Sequence, residues 1–140
     1  MIVLDTNVVS ELMRAAPAPS VLGWFASFRA SELWITAITA AELRFGAGRL
    51  PSGRRRDQIT AAVEGLLEAD FRGRVLPFDA AASVSYADLV VARERSGRPL
   101  AFPDAQIAAI AVTRGAALAT HNVRDFADLG LSLINPWEPT

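Results

Sequence analysis

The sequence contains no cysteine. That absence excludes disulfide bridges, thiolate nucleophiles and cysteine zinc sites together. A reducing cytoplasm is the default compartment for such a chain. Lysine is absent too: all 14 basic residues are arginine. Histidine occurs once, as His121. No apolar run reaches the about 18 residues needed to cross a bilayer, so no membrane partner is expected. No basic segment precedes an apolar stretch, so no signal peptide is expected. The net charge is −1, so bulk electrostatics do not announce a nucleic-acid partner.

What is present is a chain of 140 residues, 51% hydrophobic, with a mean hydropathy of +0.26. That length and composition predict one domain, residues 1–140, with a real core and a buried oligomer face. There is no internal repeat, linker or low-complexity segment.

The most informative stretch is the opening, Met1-Ile2-Val3-Leu4-Asp5-Thr6-Asn7. A short, wholly apolar run reads as a buried strand of a parallel sheet. Asp5 then falls at the carboxyl edge of that sheet, where open α/β folds bind ligands. Strand and helix patterns alternate after it. Strands are expected at Ile2 to Leu4, Leu33 to Thr36, Val75 to Phe78, Ala116 to Thr120 and Leu131 to Ile134. A helix follows the first strand, from Thr6 to Met13. Ser20 is expected to cap the next, which carries Val21, Leu22, Trp24, Phe25 and Phe28. Thr39 is expected to cap a helix running to Gly46 and Gly48, and Pro51 and Ser52 to open another with Ile59, Ala62, Val63, Leu66 and Leu67 at helical spacing. Asp79 to Gly97 and Asp104 to Arg114 read as the last long helices, and Asp125 to Leu129 as a short turn or helix. The alternation predicts an α/β fold, a mostly parallel sheet with helices on both faces.

Polar groups interrupt apolar surroundings at four places. They are Asp5, Glu42, Asp104 and the run Thr120-His121-Asn122 with Asp125 just beyond. In a parallel sheet, strand ends and the starts of the following helices share one edge, so all four project to one side. Carboxylates gathered there repel one another unless a cation neutralises them. Hard oxygen donors with little histidine select Mg²⁺ or Mn²⁺. Such an ion can activate water and steady an in-line phosphoryl displacement. Each acid also has a plain structural reading. Asp5 and Asp104 suit helix starts. Glu42 can pair with Arg44 or Arg49, Asn122 can serve a turn, and Asp125 can cap a short helix. His121 reads as a strand-end surface residue. The coincidence of all four on one edge favours the metal.

In this order the motifs resemble the PIN-domain family, and within it the VapC-type toxins of prokaryotic toxin–antitoxin pairs. The carriers are Val3-Leu4-Asp5-Thr6-Asn7, Ile38-Thr39-Ala40-Ala41-Glu42-Leu43, Pro103-Asp104-Ala105-Gln106-Ile107-Ala108-Ala109 and Thr120-His121-Asn122-Val123-Arg124-Asp125-Phe126. The closing Asn135-Pro136-Trp137 is similar to the tail of a plasmid-stability-like branch. The resemblance implies an α/β/α sandwich with a five-stranded mostly parallel sheet. It implies an Mg²⁺- or Mn²⁺-dependent endoribonuclease with Asp5, Glu42 and Asp104 as core acids and metal ligands. Where family members often carry a fourth acid this chain has Asn122, a candidate catalytic residue there, with the later Asp125 as the alternative for that place. Thr6 and Thr120 would order the carboxylates or a water, and Asn7 would brace the loop. The expected partners are RNA, a cognate antitoxin, a second copy of the chain, and a larger assembly on operator DNA.

Arg44, Arg49 and Arg54 to Arg56 cluster in one stretch. They are candidates for holding the substrate backbone, since guanidinium forks match phosphates. A solvated helix start explains the same cluster equally well. Trp24, Phe25, Phe28 and Phe45 are candidates for an antitoxin groove or dimer face, with the core as the equal alternative. Two rival classes also use an Asp after a first strand. A haloacid-dehalogenase-like phosphatase needs a second Asp where Asn7 stands, and a lysine. A receiver-type signalling domain needs a lysine and paired acids. A PIN domain that binds without cleaving remains the alternative function.

Overall fold

The computed structural model describes residues 1–139. Five strands form one sheet: β1 (Ile2–Leu4), β2 (Leu33–Thr36), β3 (Val75–Leu76), β4 (Ala117–Ala119) and β5 (Leu133–Ile134). Their order is β3-β2-β1-β4-β5, and all four pairings are parallel. The chain winds outward from β1 through β2 to β3, then crosses back to β4 and β5. The strand order therefore reverses between β1 and β4, and the carboxyl ends there open a crevice.

The helices are α1 (Thr6–Leu12), α2 (Pro19–Ala26), α3 (Ala37–Gly48), α4 (Arg54–Gly65), α5 (Ala80–Arg95) and α6 (Phe102–Arg114). Strand residues alternate between faces and so feed two cores. Leu4, Leu33, Ile35 and Ala119 face the side covered by α1, α2, α3 and α4. Val3 and Leu118 face the side covered by α5 and α6. Helix α6 is buried along Ala105, Ile107, Ala108, Ala109, Ile110 and Ala111. Small alanines let its backbone lie close to the sheet. It ends at Gly115, whose φ of +63° is the left-handed cap that glycine adopts without strain.

Helix α1 starts at Thr6 as expected, while several later helix starts differ by a few residues. Thr36, not Thr39, caps α3: its hydroxyl accepts the Thr39 N–H at 3.1 Å. No loop separates β2 from α3, so the last strand residue must serve as cap. Pro19 opens α2 and Ser20 lies inside it, because the fixed φ of proline suits the first helical position. Helix α4 begins at Arg54, after Gly53, rather than at Pro51 and Ser52. Helix α6 begins at Phe102, so Asp104 lies in its first turn rather than at its start. Strand β3 stops at Leu76. Phe78 packs edge-on against Tyr86 of α5, ring centroids 5.8 Å apart. Trp24 is a core residue, set edge-on against Phe28. Phe45 is 67% exposed.

Candidate active site

Asp5 is buried at the carboxyl end of β1, and its N–H extends the ladder to β4 by donating to the Ala119 carbonyl at 2.9 Å. It caps α1 as well as facing the crevice. One carboxylate oxygen accepts the Thr6 N–H at 2.8 Å, and the other accepts the Thr120 hydroxyl at 2.8 Å. The cap and the site are therefore one arrangement. Burial raises the Asp5 carboxyl above its ordinary range; the bonds from Thr120 and Thr6 pull it back, and the charges of Glu42 and Asp125 add to the rise.

Glu42 reaches the crevice from α3. The Thr6 hydroxyl donates to its Oε1 at 2.7 Å. That hydroxyl has one proton, so at the 2.9 Å Thr6–Thr39 contact Thr39 must donate. The Thr36 hydroxyl in turn donates to Thr39 at 3.5 Å. A chain of three threonines, two of them fully buried, thus ends on Glu42 and fixes its carboxylate. Neither Arg44 nor Arg49 pairs with Glu42. Arg44 pairs with Glu64 at 2.9 Å, and Arg49 lies over the Phe45 ring.

Asp104 comes from the first turn of α6. Burial first, then the charges of Asp5, Glu42 and Asp125, push its carboxyl up to about 6. Four acids from distant parts of the chain thus share one field, and no arginine contributes to it at Asp5 or Asp104. No three His, Asp or Glu side chains among the described residues stand close enough to hold an ion as they are. The donor set fits a hard divalent cation: all oxygen, and concentrated where the strand order reverses.

The turn after β4 completes the edge. The Thr120 hydroxyl accepts the Asn122 N–H at 3.0 Å and the Asn7 amide at 3.5 Å, while Asn7 Oδ1 accepts the His121 N–H at 3.2 Å. Asn7 therefore braces the turn. Asn122 is exposed, and its backbone contributes the bond; the charge that reaches Asp5 and Asp104 is that of Asp125. His121 is exposed and stacks on Trp137, centroids 4.1 Å apart at 15°. The tail thus folds back against the edge of the site.

The sequence reading missed three features here. Thr36 was read only as a strand end and Thr39 only as a cap, not as a chain leading to Glu42. The stacking of His121 on Trp137 needs the tertiary fold. Arg93, Arg98 and Arg124 line a cavity with Asp104 and Asp125, whereas Arg44, Arg49 and Arg54 stand on α3, its cap and α4.

The Thr120 contact makes a specific prediction. Thr120→Val removes a bond that lowers the Asp5 carboxyl, so that carboxyl rises further. The acid limb of the activity–pH profile is expected to move to higher pH, and Thr120→Ser to restore it. An unmoved acid limb in Thr120→Val would sink this role.

With the geometry in place, the comparisons are specific. The PIN domain family matches residues 2–131. The VapC ribonuclease Y4jK of Sinorhizobium fredii is 48% identical over 139 residues, covering 99% of both chains. The plasmid stability protein StbB of Pseudomonas syringae pv. tomato is 41% identical over 138 residues, again covering 99% of both. Among solved structures, FitAB bound to an IR36 DNA fragment has a chain that superposes with a TM-score of 0.93 at 33% identity, covering 100% of this chain and 98% of that one. The chain belongs to the PIN domain family, within its VapC-type toxin branch.

Proposed function

We propose that this protein is a divalent-metal-dependent endoribonuclease and the toxin of a toxin–antitoxin pair. The observation that carries the reading is the coupled set of Asp5, Glu42, Asp104 and Asp125 at the crevice between β1 and β4. Asp5 and Asp104 would hold Mg²⁺ or Mn²⁺, with Glu42 as third ligand or as the base for the attacking water. When bound, the ion would supply an activated water and charge neutralisation for in-line phosphodiester hydrolysis. Thr120 keeps Asp5 available as an anion, and the threonine chain aims Glu42. Asp125, rather than Asn122, takes the fourth acidic place. The products would carry 5′-phosphate and 3′-hydroxyl ends.

That chemistry does not use the ribose 2′-hydroxyl. The preference for RNA rests on the relative from Sinorhizobium fredii being named a ribonuclease. A cognate antitoxin follows from the toxin branch. Assembly on operator DNA rests on the similarity to a protein solved on a DNA fragment. A groove of about 780 Å³ runs from Thr6 and Glu42 between α1, α3 and α4, with Leu43, Ile59 and Val63 on its wall and Arg14 and Arg55 at its rim. It suits an antitoxin segment that is apolar along its length. Leu22 and Val91 are among the exposed apolar side chains open to a second copy or partner. Among the described residues no helix is long and apolar enough to cross a membrane, in keeping with a cytoplasmic toxin.

The test is cleavage of single-stranded RNA by the purified protein, with Asp5→Asn as control. Mg²⁺ or Mn²⁺ should restore activity lost in EDTA, and the variant should be inactive. RNA binding without cleavage at any metal concentration would establish the non-cleaving PIN module instead. That alternative draws on the spread-apart acids.

A further inference from the structure

Beside the acids lies a second cavity of about 380 Å³, between the loop that precedes α6 and the turn that follows β4. Its lining carries Asp104 and Asp125 together with Arg93, Arg98 and Arg124. Arg93 comes from α5 and is only 6% exposed. Its guanidinium donates to the Arg98 carbonyl at 3.0 Å, to the Ala127 carbonyl at 3.0 Å, and to the Asp125 carbonyl. One side chain therefore ties together the loop leading to Asp104 and the turn bearing Asp125. The cavity between them is held in shape.

The charge there is unbalanced. Every partner of Arg93 is a neutral carbonyl, its Nε has no partner, and no carboxylate pairs with it among the described residues. A buried guanidinium whose hydrogen bonds all go to neutral carbonyls has no paired counter-charge to offset its desolvation. Arg124 likewise has no ion pair among the described residues. Arg98 touches Asp128 at 3.3 Å, but that carboxylate is 82% exposed and contributes little. Arg98 also donates to the Arg124 carbonyl at 3.3 Å, so the two exposed arginines share one rim. The cavity thus holds three guanidiniums beside two carboxylates.

We propose that this cavity seats a backbone phosphate of the RNA next to the one that is cleaved. Arg98 and Arg124 contact its oxygens, and Arg93 fixes and charges the floor beneath it. The inference rests on the ribonuclease reading and adds the path of the substrate. Guanidinium forks suit phosphate oxygens. Arg98 and Arg124 are positioning residues, so their loss should weaken binding and spare the chemical step.

The test is the Arg98→Ala/Arg124→Ala double variant, with Arg114→Ala, at the far end of α6, as a charge-loss control. Steady-state cleavage should show KM raised about tenfold or more with kcat within about twofold. In EDTA, the slope of log Kd against log salt for a short single-stranded RNA should shrink by about 0.7 for every phosphate no longer neutralised. Arg98→Lys/Arg124→Lys should recover the salt slope more fully than KM, since it keeps charge and loses the fork. Arg114→Ala should move neither. An unchanged KM and slope in the double alanine variant would overturn the proposal, as would a fall in kcat at constant KM. If the wild type cleaves no RNA, the ribonuclease reading fails, and the salt slope in EDTA still decides this site.

Discussion

Asp104→Asn is expected to abolish cleavage while making the metal-free protein more stable. The two effects share one cause. Asp104 sits among Asp5, Glu42 and Asp125, and burial with their charges lifts its carboxyl from 3.8 to about 6. The folded protein therefore binds this proton more tightly than the unfolded chain does. Between about pH 4 and pH 6 the contribution of Asp104 to stability falls as pH rises, and above that window its charge is a burden on the fold. Asparagine carries no charge, so at neutral pH the variant should melt higher in EDTA, on the order of 2–4 °C. The wild type should gain from Asp104 as pH falls through the same window, and the variant should lack that gain. The cost appears in catalysis. If Asp104 holds the proposed cation, losing that ligand and its charge removes several kcal/mol of transition-state stabilisation, a drop in kcat of about 10³-fold or more. Single-turnover cleavage at saturating Mg²⁺ measures it.

Phe126→Ala is expected to give the largest loss of stability. Phe126 is 1% exposed and is among the largest fully buried side chains. It packs into the core under α5 and α6, directly after Asp125. Truncating a buried phenylalanine costs about 3–5 kcal/mol, against a typical total of about 5–15 kcal/mol. Urea unfolding should show the midpoint falling at a nearly constant slope. The turn that carries Asp125 loses its anchor at the same time, so activity per folded molecule should fall as well. A loss under about 1 kcal/mol would mean that the core closes over the gap and that the turn is held by Arg93 alone.

These expectations draw on parts of the molecule that were unequally legible in the sequence. Strands β1 and β2 were readable to the residue, because each is a short apolar run bounded by polar groups. Asp5 and Thr120 were readable as sharing one edge, since parallel strands end on one side; that β1 and β4 are neighbours was not readable. The starts of α3 and α6 were not. Thr36 ends a strand and caps a helix at once, and no single-residue preference announces that double duty. The Arg93 clamp was invisible for another reason. Arg93 stands in the run Arg93-Glu94-Arg95, which reads as a solvated face, and one of its partners is the carbonyl of Ala127. Arg44 is similar, its partner Glu64 lying on the next helix. Long polar side chains choose partners by tertiary proximity, which residue spacing does not record.

A thermal melt of the wild type and Asp104→Asn, each in EDTA and in Mn²⁺, tests the proposed divalent-cation site. A ligand present at about 100 times its Kd stabilises by about 2.7 kcal/mol. Asp104→Asn should melt above the wild type in EDTA, and Mn²⁺ should raise the wild type past it while leaving the variant unmoved. Equal Mn²⁺ shifts in both proteins, or no shift in the wild type at millimolar Mn²⁺, would contradict it.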